Sequence, residues 1–445
     1  MKLSRINGPL KGELNVPGDK SISHRSIMLG AIAEGVTEIR GFLKSADCIH
    51  TIGCFKAMGV DIEEEEDVIR VKGAGLRGLA APSSPLDCGN SGTTMRLISG
   101  ILSGQAFPTR LIGDSSLSRR PMKRIISPLT AMGALISSEN GSGCAPLSIK
   151  PSELKGADIH IPIASAQVKS AVLLSALYAE GETVLTEPVL SRNHTELMLS
   201  SFGADISPGS LDSPTVSLRP GNMLKAQSIT VPGDISSAAY FLGAALMVPE
   251  SEVLLKNVGI NPTRDGIIRV LKAMGADLTF LNEKTAAGER RADILVRYSE
   301  LKGTEIGGSL IPSLIDEIPL IAVIATRAEG DTVIRDAAEL KVKESDRIKL
   351  TTENLRRMGA DVEATSDGMV IHGPTPLHHA VIETAKDHRI AMSFSIAALA
   401  SSDARQTEIK DAACVSISYP GFFGDLDSLK DSPLSPHILV HRQEP

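Results

Sequence analysis

One tetrapeptide, Val-Pro-Gly-Asp, occurs twice in this chain of 445 residues, at positions 16–19 and 231–234. Each copy precedes a run with helical spacing, which begins at Lys20 after the first copy and at Ile235 after the second. The two copies divide the chain into similar halves, which predicts two related domains joined by two strands, with a cleft between them. Because only the first copy is followed by Lys, Ser and Arg, the duplicated scaffold favours a site for an asymmetric anionic substrate.

A shorter phrase, which reads Ala-Met-Gly-Ala-Asp at 273–277 and differs by one or two residues elsewhere, occurs five times at intervals of 70 to 84 residues. This interval is too long for a solenoid. The apolar spacing before each glycine is helical, and a short alternating segment follows it. The glycine therefore suits a left-handed helix C-cap that leads into a strand. The five glycines are Gly59, Gly133, Gly203, Gly275 and Gly359.

Each repeat also contains an earlier helix that is apolar on all sides and should therefore be buried. These predicted helices are 26–33, 94–102, 169–178, 236–247, 318–326 and 391–400. With three repeats per half, we predict an α/β fold of two similar domains with buried helices inside and sheets outside, an inside-out α/β barrel. The predicted boundaries are 18–232 for the first domain, and 1–17 with 233–445 for the second.

Composition excludes several classes of partner. The formal net charge is −7, aromatic residues make up 3%, and Trp is absent, so we expect no nucleic-acid or membrane partner. Apolar stretches such as 318–326 are too short to cross a bilayer, and the N-terminus lacks the pattern of a signal peptide. Five cysteines without zinc-like spacing favour a reduced, cytoplasmic protein with no metal. A monomer is expected.

Polar residues concentrate where the six buried helices begin, and several of them are cations. Ser, Asn and Asp are ordinary N-caps, but Lys and Arg oppose the helix dipole there. Such cations favour an anion site shared with the backbone N–H groups, the alternative being capping with a few solvated charges. The loops before the amphipathic helices add Arg120 and the segment 343–347, in which cations and acids alternate. A solvated helix face is an equally good interpretation of that segment.

Four motifs together resemble the 5-enolpyruvylshikimate-3-phosphate synthase family, also called 3-phosphoshikimate 1-carboxyvinyltransferase. The match runs essentially end to end. The motifs are Gly-Asp-Lys-Ser-Ile-Ser-His-Arg at 18–25, Gly-Asn-Ser-Gly-Thr-Thr-Met-Arg at 89–96, Lys-Glu-Ser-Asp-Arg at 343–347 and Asp-His-Arg-Ile-Ala-Met at 387–392.

The resemblance implies transfer of the enolpyruvyl group of phosphoenolpyruvate to the 5-hydroxyl of shikimate 3-phosphate, the sixth step of the shikimate pathway to chorismate and aromatic amino acids. It implies no cofactor. The implied shikimate 3-phosphate contacts are Lys20, Ser21, Arg25, Ser165, Ala166, Gln167, Asp316 and Lys343. The implied phosphoenolpyruvate contacts are Lys20, Gly92, Arg120, Gln167, Arg347 and Arg389. The implied catalytic residues are Asp316, Glu344 and Lys20, with the division of proton transfers between the two acids left open.

Three further segments, 165–169, 192–196 and 261–264, resemble the class II subtype, known for tolerance of the inhibitor glyphosate. Gly92 departs from several tolerant enzymes, which have alanine there, so tolerance is not implied. The loop 414–420 lacks the lysine that class I enzymes place against phosphoenolpyruvate. Either the cradle has one cation fewer, or Lys169 or Arg192 compensates.

Two other functions are compatible with the pattern. The sister enzyme that transfers enolpyruvyl to a UDP-amino sugar shares the fold but uses a loop cysteine, which 113–122 lacks. A duplicated binding protein without catalysis would have no use for both Asp316 and Glu344. We therefore favour the shikimate 3-phosphate enzyme.

Overall fold

Helices and short strands alternate along the chain, which a computed structural model describes for residues 1–286 and 288–430. The helices are α1 (Lys20–Ile32), α2 (Ala46–Ala57), α3 (Gly92–Ser103), α4 (Lys123–Ala131), α5 (Ala166–Ala176), α6 (His194–Ser201), α7 (Ile235–Met247), α8 (Gly266–Ala273), α9 (Ile318–Ala325), α10 (Arg347–Arg357), α11 (His388–Leu399) and α12 (Phe422–Ser428). Residues 431–445, the end of the predicted second domain, lie outside the described residues.

The strands are mostly short. They are β1 (Lys2–Leu3), β2 (Lys11–Leu14), β3 (Glu34–Arg40), β4 (Asp61–Glu64), β5 (Val68–Ala74), β6 (Leu86–Asp87), β7 (Thr109–Ile112), β8 (Leu135–Ser138), β9 (Leu147–Lys150), β10 (Asp158–His160), β11 (Thr183–Thr186), β12 (Asp205–Ser207), β13 (Thr215–Arg219), β14 (Ser228–Thr230), β15 (Glu252–Gly259), β16 (Asp277–Ala286), β17 (Glu289–Arg297), β18 (Glu305–Ile306), β19 (Gly330–Ile334), β20 (Asp361–Ala364), β21 (Met369–Gly373), β22 (Val381–Ile382) and β23 (Thr407–Ile409).

Contacts between residues divide the chain into two units. The unit that we call the N-unit comprises Gly18–Val231 together with Thr285–Glu289. The C-unit comprises Met1–Pro17, Pro232–Lys284 and the chain from Arg290 onward.

Three four-stranded sheets form the N-unit, in the orders β14-β3-β5-β4, β6-β7-β9-β8 and β10-β11-β13-β12. In each sheet one parallel pair is followed by two antiparallel pairs, for example β10 with β11, then β11 with β13 and β13 with β12. Helices α3 and α5 pack against each other, and α1 contacts α3. The same connection pattern in three consecutive repeats shows that the predicted repeat is structural.

The C-unit has a similar plan, with the four-stranded sheets β16-β17-β15-β2 and β18-β19-β21-β20 and the three-stranded sheet β1-β23-β22. The first residues of the chain complete two of these sheets, since Leu14 pairs with Leu255 and Lys2 pairs with Glu408. Helices α7, α9 and α11 contact one another. The predicted α/β class is confirmed, with buried helices and three repeats in each unit.

Apolar composition explains why these helices lie inside. Every residue of α7, α9 and α11 is buried, and α9 reads Ile-Pro-Leu-Ile-Ala-Val-Ile-Ala. Burying a side chain such as Leu or Ile contributes about 1.5–3 kcal/mol. A helix with no polar face gains this contribution on all sides only when neighbouring helices surround it.

The predicted C-cap glycines are also confirmed. Each is the second residue after its helix, following one C-cap residue, and has φ between 84° and 96°, the left-handed range that side chains disfavour. They are Gly59, Gly133, Gly203, Gly275 and Gly359. A strand begins two residues after each of them. The sixth repeat ends differently, in α12, whose Phe422 packs edge-on against Tyr240 and Tyr419. Among the described residues, no helix has the length and apolar character needed to cross a membrane.

Candidate active site

The start of α1 presents Lys20 and Ser21 in one capped turn. The carboxylate of Asp19 accepts the backbone N–H of Ile22 at 2.9 Å, which fixes the geometry of this turn. The Lys20 ammonium forms an ion pair with Asp47, in the first turn of α2. A cation is thus held at a helix N-terminus, where backbone N–H groups already favour an anion.

Arg25, one turn further along α1, is buried and held by three hydrogen bonds. Its Nε donates to the Thr195 hydroxyl at 2.6 Å, and its Nη2 donates to the Ser170 hydroxyl at 2.7 Å. Its Nη1 donates to the carbonyl of Ser21 at 2.9 Å. Burial lowers the pKa of Arg25 to about 10, an effect that Glu196 opposes, so the guanidinium stays charged at neutral pH. Three bonds fix the plane of the group.

The start of α3 brings Gly92 and Arg120 together. The Ser91 hydroxyl caps this helix by accepting the N–H of Thr94 at 3.0 Å. Arg120 donates to the side-chain and backbone oxygens of Asn90, at 2.7 Å and 3.3 Å. A Cβ atom on Gly92 would lie 3.4 Å from Nη1 of Arg120. The arginine therefore lies directly against the helix N-terminus.

The start of α5 joins this cluster through Gln167. Its amide oxygen accepts a hydrogen bond from Nη1 of Arg96 at 2.6 Å, and its amide nitrogen donates to Thr93 at 3.0 Å. Ser165 caps α5, and Ala166 is its first residue. The side chain at the centre of the predicted substrate contacts is thus oriented by two residues of α3.

A chain of buried hydrogen bonds links α1 to the start of α3 through Thr51 of α2. His24 Nδ1 lies 2.7 Å from the Thr51 hydroxyl, which lies 2.7 Å from the Thr94 hydroxyl. Thr94 in turn donates to Ser91 at 2.7 Å. All four side chains are buried, and burial lowers the pKa of His24 to about 3. Neutral His24 is therefore part of the scaffold beneath the site.

Because His24 is buried and neutral, we expect the protein to lose stability in mild acid. His24 has a pKa of about 3 in the fold against 6.5 in the unfolded chain, so protons favour the unfolded state. Its contribution is intact above about pH 6.5 and is lost as pH falls towards 3. Between about pH 6 and about pH 4.5, the wild type should lose about 2 kcal/mol more unfolding free energy than His24→Gln. Urea titrations at each pH measure this difference, and parallel pH profiles would contradict it.

In the C-unit, Arg347 joins three carboxylates. Its Nε donates to Asp387 at 2.9 Å, its Nη1 to Asp316 at 3.2 Å and its Nη2 to Glu344 at 2.6 Å. The Arg347 side chain is only 1% exposed. Burial alone would lower the pKa of this guanidinium, but Asp387, Glu344 and Asp316 outweigh burial and raise it. Two acids from different loops are therefore held side by side on one permanent cation.

Lys343 and Ser345 complete the same cluster. The Lys343 ammonium lies 3.7 Å from Oδ1 of Asp316, and the Ser345 hydroxyl donates to Asp387 at 2.8 Å. Asp387 also caps α11, since its Oδ1 accepts the backbone N–H of Arg389 at 2.9 Å. One buried carboxylate therefore positions both arginines of the predicted phosphoenolpyruvate contacts.

The guanidinium of Arg389 has a second set of partners. It lies 3.6 Å from the buried carboxylate of Glu317. Burial raises the pKa of Tyr240 to about 12, an effect that the Arg389 charge opposes. Burial lowers the pKa of Arg389, but the nearby Tyr240, Asp316 and Glu317 raise it well above the ordinary value. Glu317 also accepts a short hydrogen bond from Ser236, which accepts one from Arg264 at 2.6 Å. These contacts fix the direction of the Arg389 side chain.

Contacts thus join the predicted residues within each unit. In the N-unit these residues are Lys20, Ser21, Gly92, Arg25, Arg120, Ser165, Ala166 and Gln167. In the C-unit they are Asp316, Lys343, Glu344, Arg347 and Arg389. Sequence reasoning missed the side chains that orient them, above all Asp47, Arg96, Glu317 and Asp387. Arg96 and Asp387 belong to the motifs at 89–96 and 387–392, so their presence near the site could have been inferred from the sequence. Asp47 belongs to none of the motifs.

Two details differ from the sequence-based expectations. Lys169 does not supply a cation for an external anion, because it is 1% exposed and lies 2.8 Å from each of Glu187 and Glu196. Helix α9 begins at Ile318, and its N-cap residue Glu317 makes no side-chain capping bond. Asp316 binds Arg347, because a guanidinium offers a carboxylate a stronger, charge-assisted bond.

Gly92 gives a prediction about inhibitor discrimination. The added methyl of Gly92→Ala would lie 2.9 Å from Nη1 of Arg96, which must shift, and the ends of both neighbouring arginines are flexible. From the family resemblance, we expect an intact fold and a glyphosate inhibition constant raised about tenfold or more, with a smaller rise in the KM for the implied substrate phosphoenolpyruvate. Steady-state inhibition measures both. Gly53→Ala, which meets no atom within 4 Å, is the control, and equal changes in both constants would contradict the prediction.

No group of three or more His, Cys, Asp or Glu side chains is arranged to hold a metal ion anywhere in residues 1–286 and 288–430. The five cysteines are free thiols.

Comparison with known proteins identifies the family of this chain. The profile of the family described as EPSP synthase (3-phosphoshikimate 1-carboxyvinyltransferase) matches residues 4–426. A 3-phosphoshikimate 1-carboxyvinyltransferase of Thermoanaerobacter sp. (strain X514) is 54% identical over 420 residues, covering 94% of this chain and 98% of the relative. The enzyme of that name from Bacillus licheniformis is 52% identical over 432 residues, covering 97% of this chain and 100% of the relative.

Solved structures give the same result. The 2.37 Å structure of EPSP synthase from Acinetobacter baumannii superposes with a TM-score of 0.87 at 46% identity, covering 96% of this chain and 97% of that one. The resemblance inferred from the motifs is confirmed over nearly the whole length. This chain belongs to the EPSP synthase family.

Proposed function

We propose that the protein transfers the enolpyruvyl group of phosphoenolpyruvate to the 5-hydroxyl of shikimate 3-phosphate, giving 5-enolpyruvylshikimate 3-phosphate and phosphate. The observation that carries this proposal is the position of Asp316 and Glu344 on two nitrogens of one buried arginine. Membership of the EPSP synthase family supports the same reaction. In this proposal the enzyme acts in the shikimate pathway, one step before chorismate.

In this proposal each substrate has its own set of contacts, with Lys20 and Gln167 common to both. Shikimate 3-phosphate is bound by Lys20, Ser21, Arg25, Ser165, Ala166, Gln167, Asp316 and Lys343. Phosphoenolpyruvate is bound by Lys20, Gly92, Arg120, Gln167, Arg347 and Arg389. Both substrates are polyanions that repel each other, so cations held in place before binding reduce the free energy needed to bring them together. Arginine forks suit carboxylate and phosphate, while Lys20 and Lys343 act as point charges.

The reaction needs four proton movements, which Asp316 and Glu344 share. In the addition step the 5-hydroxyl loses its proton as its oxygen bonds to C2 of phosphoenolpyruvate, and the methylene carbon gains a proton. In the elimination step that carbon loses a proton while the C2–O bond to phosphate breaks, and the departing phosphate is protonated. Because Arg347 donates to both Asp316 and Glu344, the two carboxyl groups keep their distance from each other while protons move on and off them. Lys20 stabilises negative charge on the phosphates.

The proposal also covers the domains, the localisation and the assembly state. Residues 18–232 form one enolpyruvyl transferase domain, and residues 1–17 with 233–445 form the other, each built of three repeats. The protein acts as a cytoplasmic monomer without cofactor, metal, nucleic acid or membrane partner, consistent with its net charge of −7. Light scattering coupled to size-exclusion chromatography tests the monomer, and a dimer mass would contradict it.

Phosphate release from phosphoenolpyruvate tests the function directly. We expect release with shikimate 3-phosphate and none above background with UDP-N-acetylglucosamine. Release with the UDP-sugar alone would assign the protein to the sister reaction. Binding of shikimate 3-phosphate without release would favour a non-catalytic binding protein.

A further inference from the structure

Three charged side chains form a cluster inside the N-unit, which we call the buried triad: Lys169 on α5, Glu187, and Glu196 on α6. The Lys169 ammonium lies 2.8 Å from a carboxylate oxygen of each glutamate, and all three side chains are at most 1% exposed. Apolar side chains of similar volume often stabilise a fold as well as buried ions do. Stability alone therefore does not explain why these three charged residues are buried together.

The triad binds the backbone of two loops. One carboxylate oxygen of Glu187 accepts the N–H of Ser165 at 3.1 Å, and the other accepts the N–H of Ser191 at 3.1 Å. Lys169 donates to the carbonyl of Ser191 at 3.1 Å. Glu187 thus sets the position of Ser165, the residue that caps α5.

The neighbours of the triad hold Arg25. Ser170 follows Lys169 and accepts Nη2 of Arg25, and Thr195 precedes Glu196 and accepts Nε of Arg25. The hydroxyls of Ser170 and Thr195 lie 2.6 Å apart. Glu196 also acts on the Arg25 charge, since it opposes the effect of burial on its pKa.

We propose that Lys169, Glu187 and Glu196 are positioning residues that hold Ser165 and Arg25 at the spacing required by shikimate 3-phosphate. This inference rests on the proposed function, and it specifies which substrate the triad serves. Arg120, in contrast, is held by the side chain of Asn90, which lies just before α3. The triad therefore controls affinity for shikimate 3-phosphate and leaves affinity for phosphoenolpyruvate almost unchanged.

Steady-state kinetics with each substrate varied in turn test the proposal. Lys169→Met should raise the KM for shikimate 3-phosphate about tenfold or more. The variant loses the ammonium that holds Glu187 and the Ser191 carbonyl, so Glu187 no longer fixes the position of Ser165. The KM for phosphoenolpyruvate should stay within about twofold. Glu187→Gln should raise the KM for shikimate 3-phosphate less than Lys169→Met does, since the glutamine amide oxygen still accepts one backbone N–H. Lys169→Arg keeps the positive charge and should retain most of the wild-type affinity for shikimate 3-phosphate. Calorimetric titration with shikimate 3-phosphate checks the affinities directly.

Leu218→Ala is the control for lost stability, because Leu218 is a fully buried residue of β13 in the same repeat. It should lower the unfolding midpoint with unchanged KM values. The proposal is overturned if the triad variants raise both KM values equally, or lower only the unfolding midpoint. If Lys169→Met does not fold, Glu187→Gln decides between these outcomes. A wild type without phosphate release would instead refute the proposed function, so the two failures are distinguishable.

Discussion

Replacing Asp316 with asparagine is expected to lower kcat by about 10³-fold while the affinity for shikimate 3-phosphate changes by only several-fold. Asparagine preserves shape and can still accept the 3.2 Å bond from Arg347, but it cannot take a proton. A positioned acid or base contributes about 10²–10⁴-fold to rate. Rapid-quench kinetics with calorimetric titration of shikimate 3-phosphate measure both quantities.

Glu344→Gln extends this experiment. If Asp316 and Glu344 act together in the same proton transfers, the double variant should be about as slow as the slower single variant. The effects of substitutions on kcat do not add when the residues act as a unit. Asp277→Asn, at an exposed aspartate 3.4 Å from Arg297, is the matched control and should keep normal turnover. Near-normal turnover of Asp316→Asn would remove Asp316 from the mechanism.

Replacing Arg347 with methionine should have the largest effect on stability. The change leaves Asp387, Glu344 and Asp316 without the cation that all three contact, and removal of one partner from a buried ion pair costs about 3–5 kcal/mol. The KM for phosphoenolpyruvate should also rise by about 100-fold, which corresponds to the loss of a bidentate contact. Urea denaturation and steady-state kinetics measure the two effects.

Arg347→Lys should fall between the wild type and Arg347→Met, because one ammonium keeps the charge but cannot donate to three carboxylates in a plane. Arg335→Met is the control, since Arg335 pairs with Glu305 at the surface, where both side chains are more than half exposed. An exposed pair contributes about 0–1 kcal/mol. Equal destabilisation by Arg335→Met and Arg347→Met would contradict the central role of Arg347.

The repeat pattern was readable from sequence because two strong local rules produce it. A helix that is apolar on every side must be buried, and a glycine after a helical run favours the left-handed conformation. Helix α9 and Gly275 obey these rules without reference to distant residues. The assignment of Arg347 and Asp316 to one site depended on the resemblance, since 31 positions separate them.

The contacts that orient the site could not be read in the same way. Lys169 resembled the other cations at helix starts, yet it lies inward between two glutamates, 18 and 27 positions further along the chain. The partner of Lys20 was also not predictable, because Asp47 belongs to the next helix and has no distinctive motif around it. Long-range pairing of charges depends on which helix faces meet.

The sequence by itself determined the α/β repeats, the buried helices and the identity of the ionisable groups available for chemistry, because periodicity and capping act over a few residues. Only the tertiary structure decided which of those groups are bound to one another. It placed Asp316 and Glu344 on Arg347, and Lys169 between two glutamates. The physical reason is that a buried charge must find a partner, and the packing of distant segments decides which one is within reach.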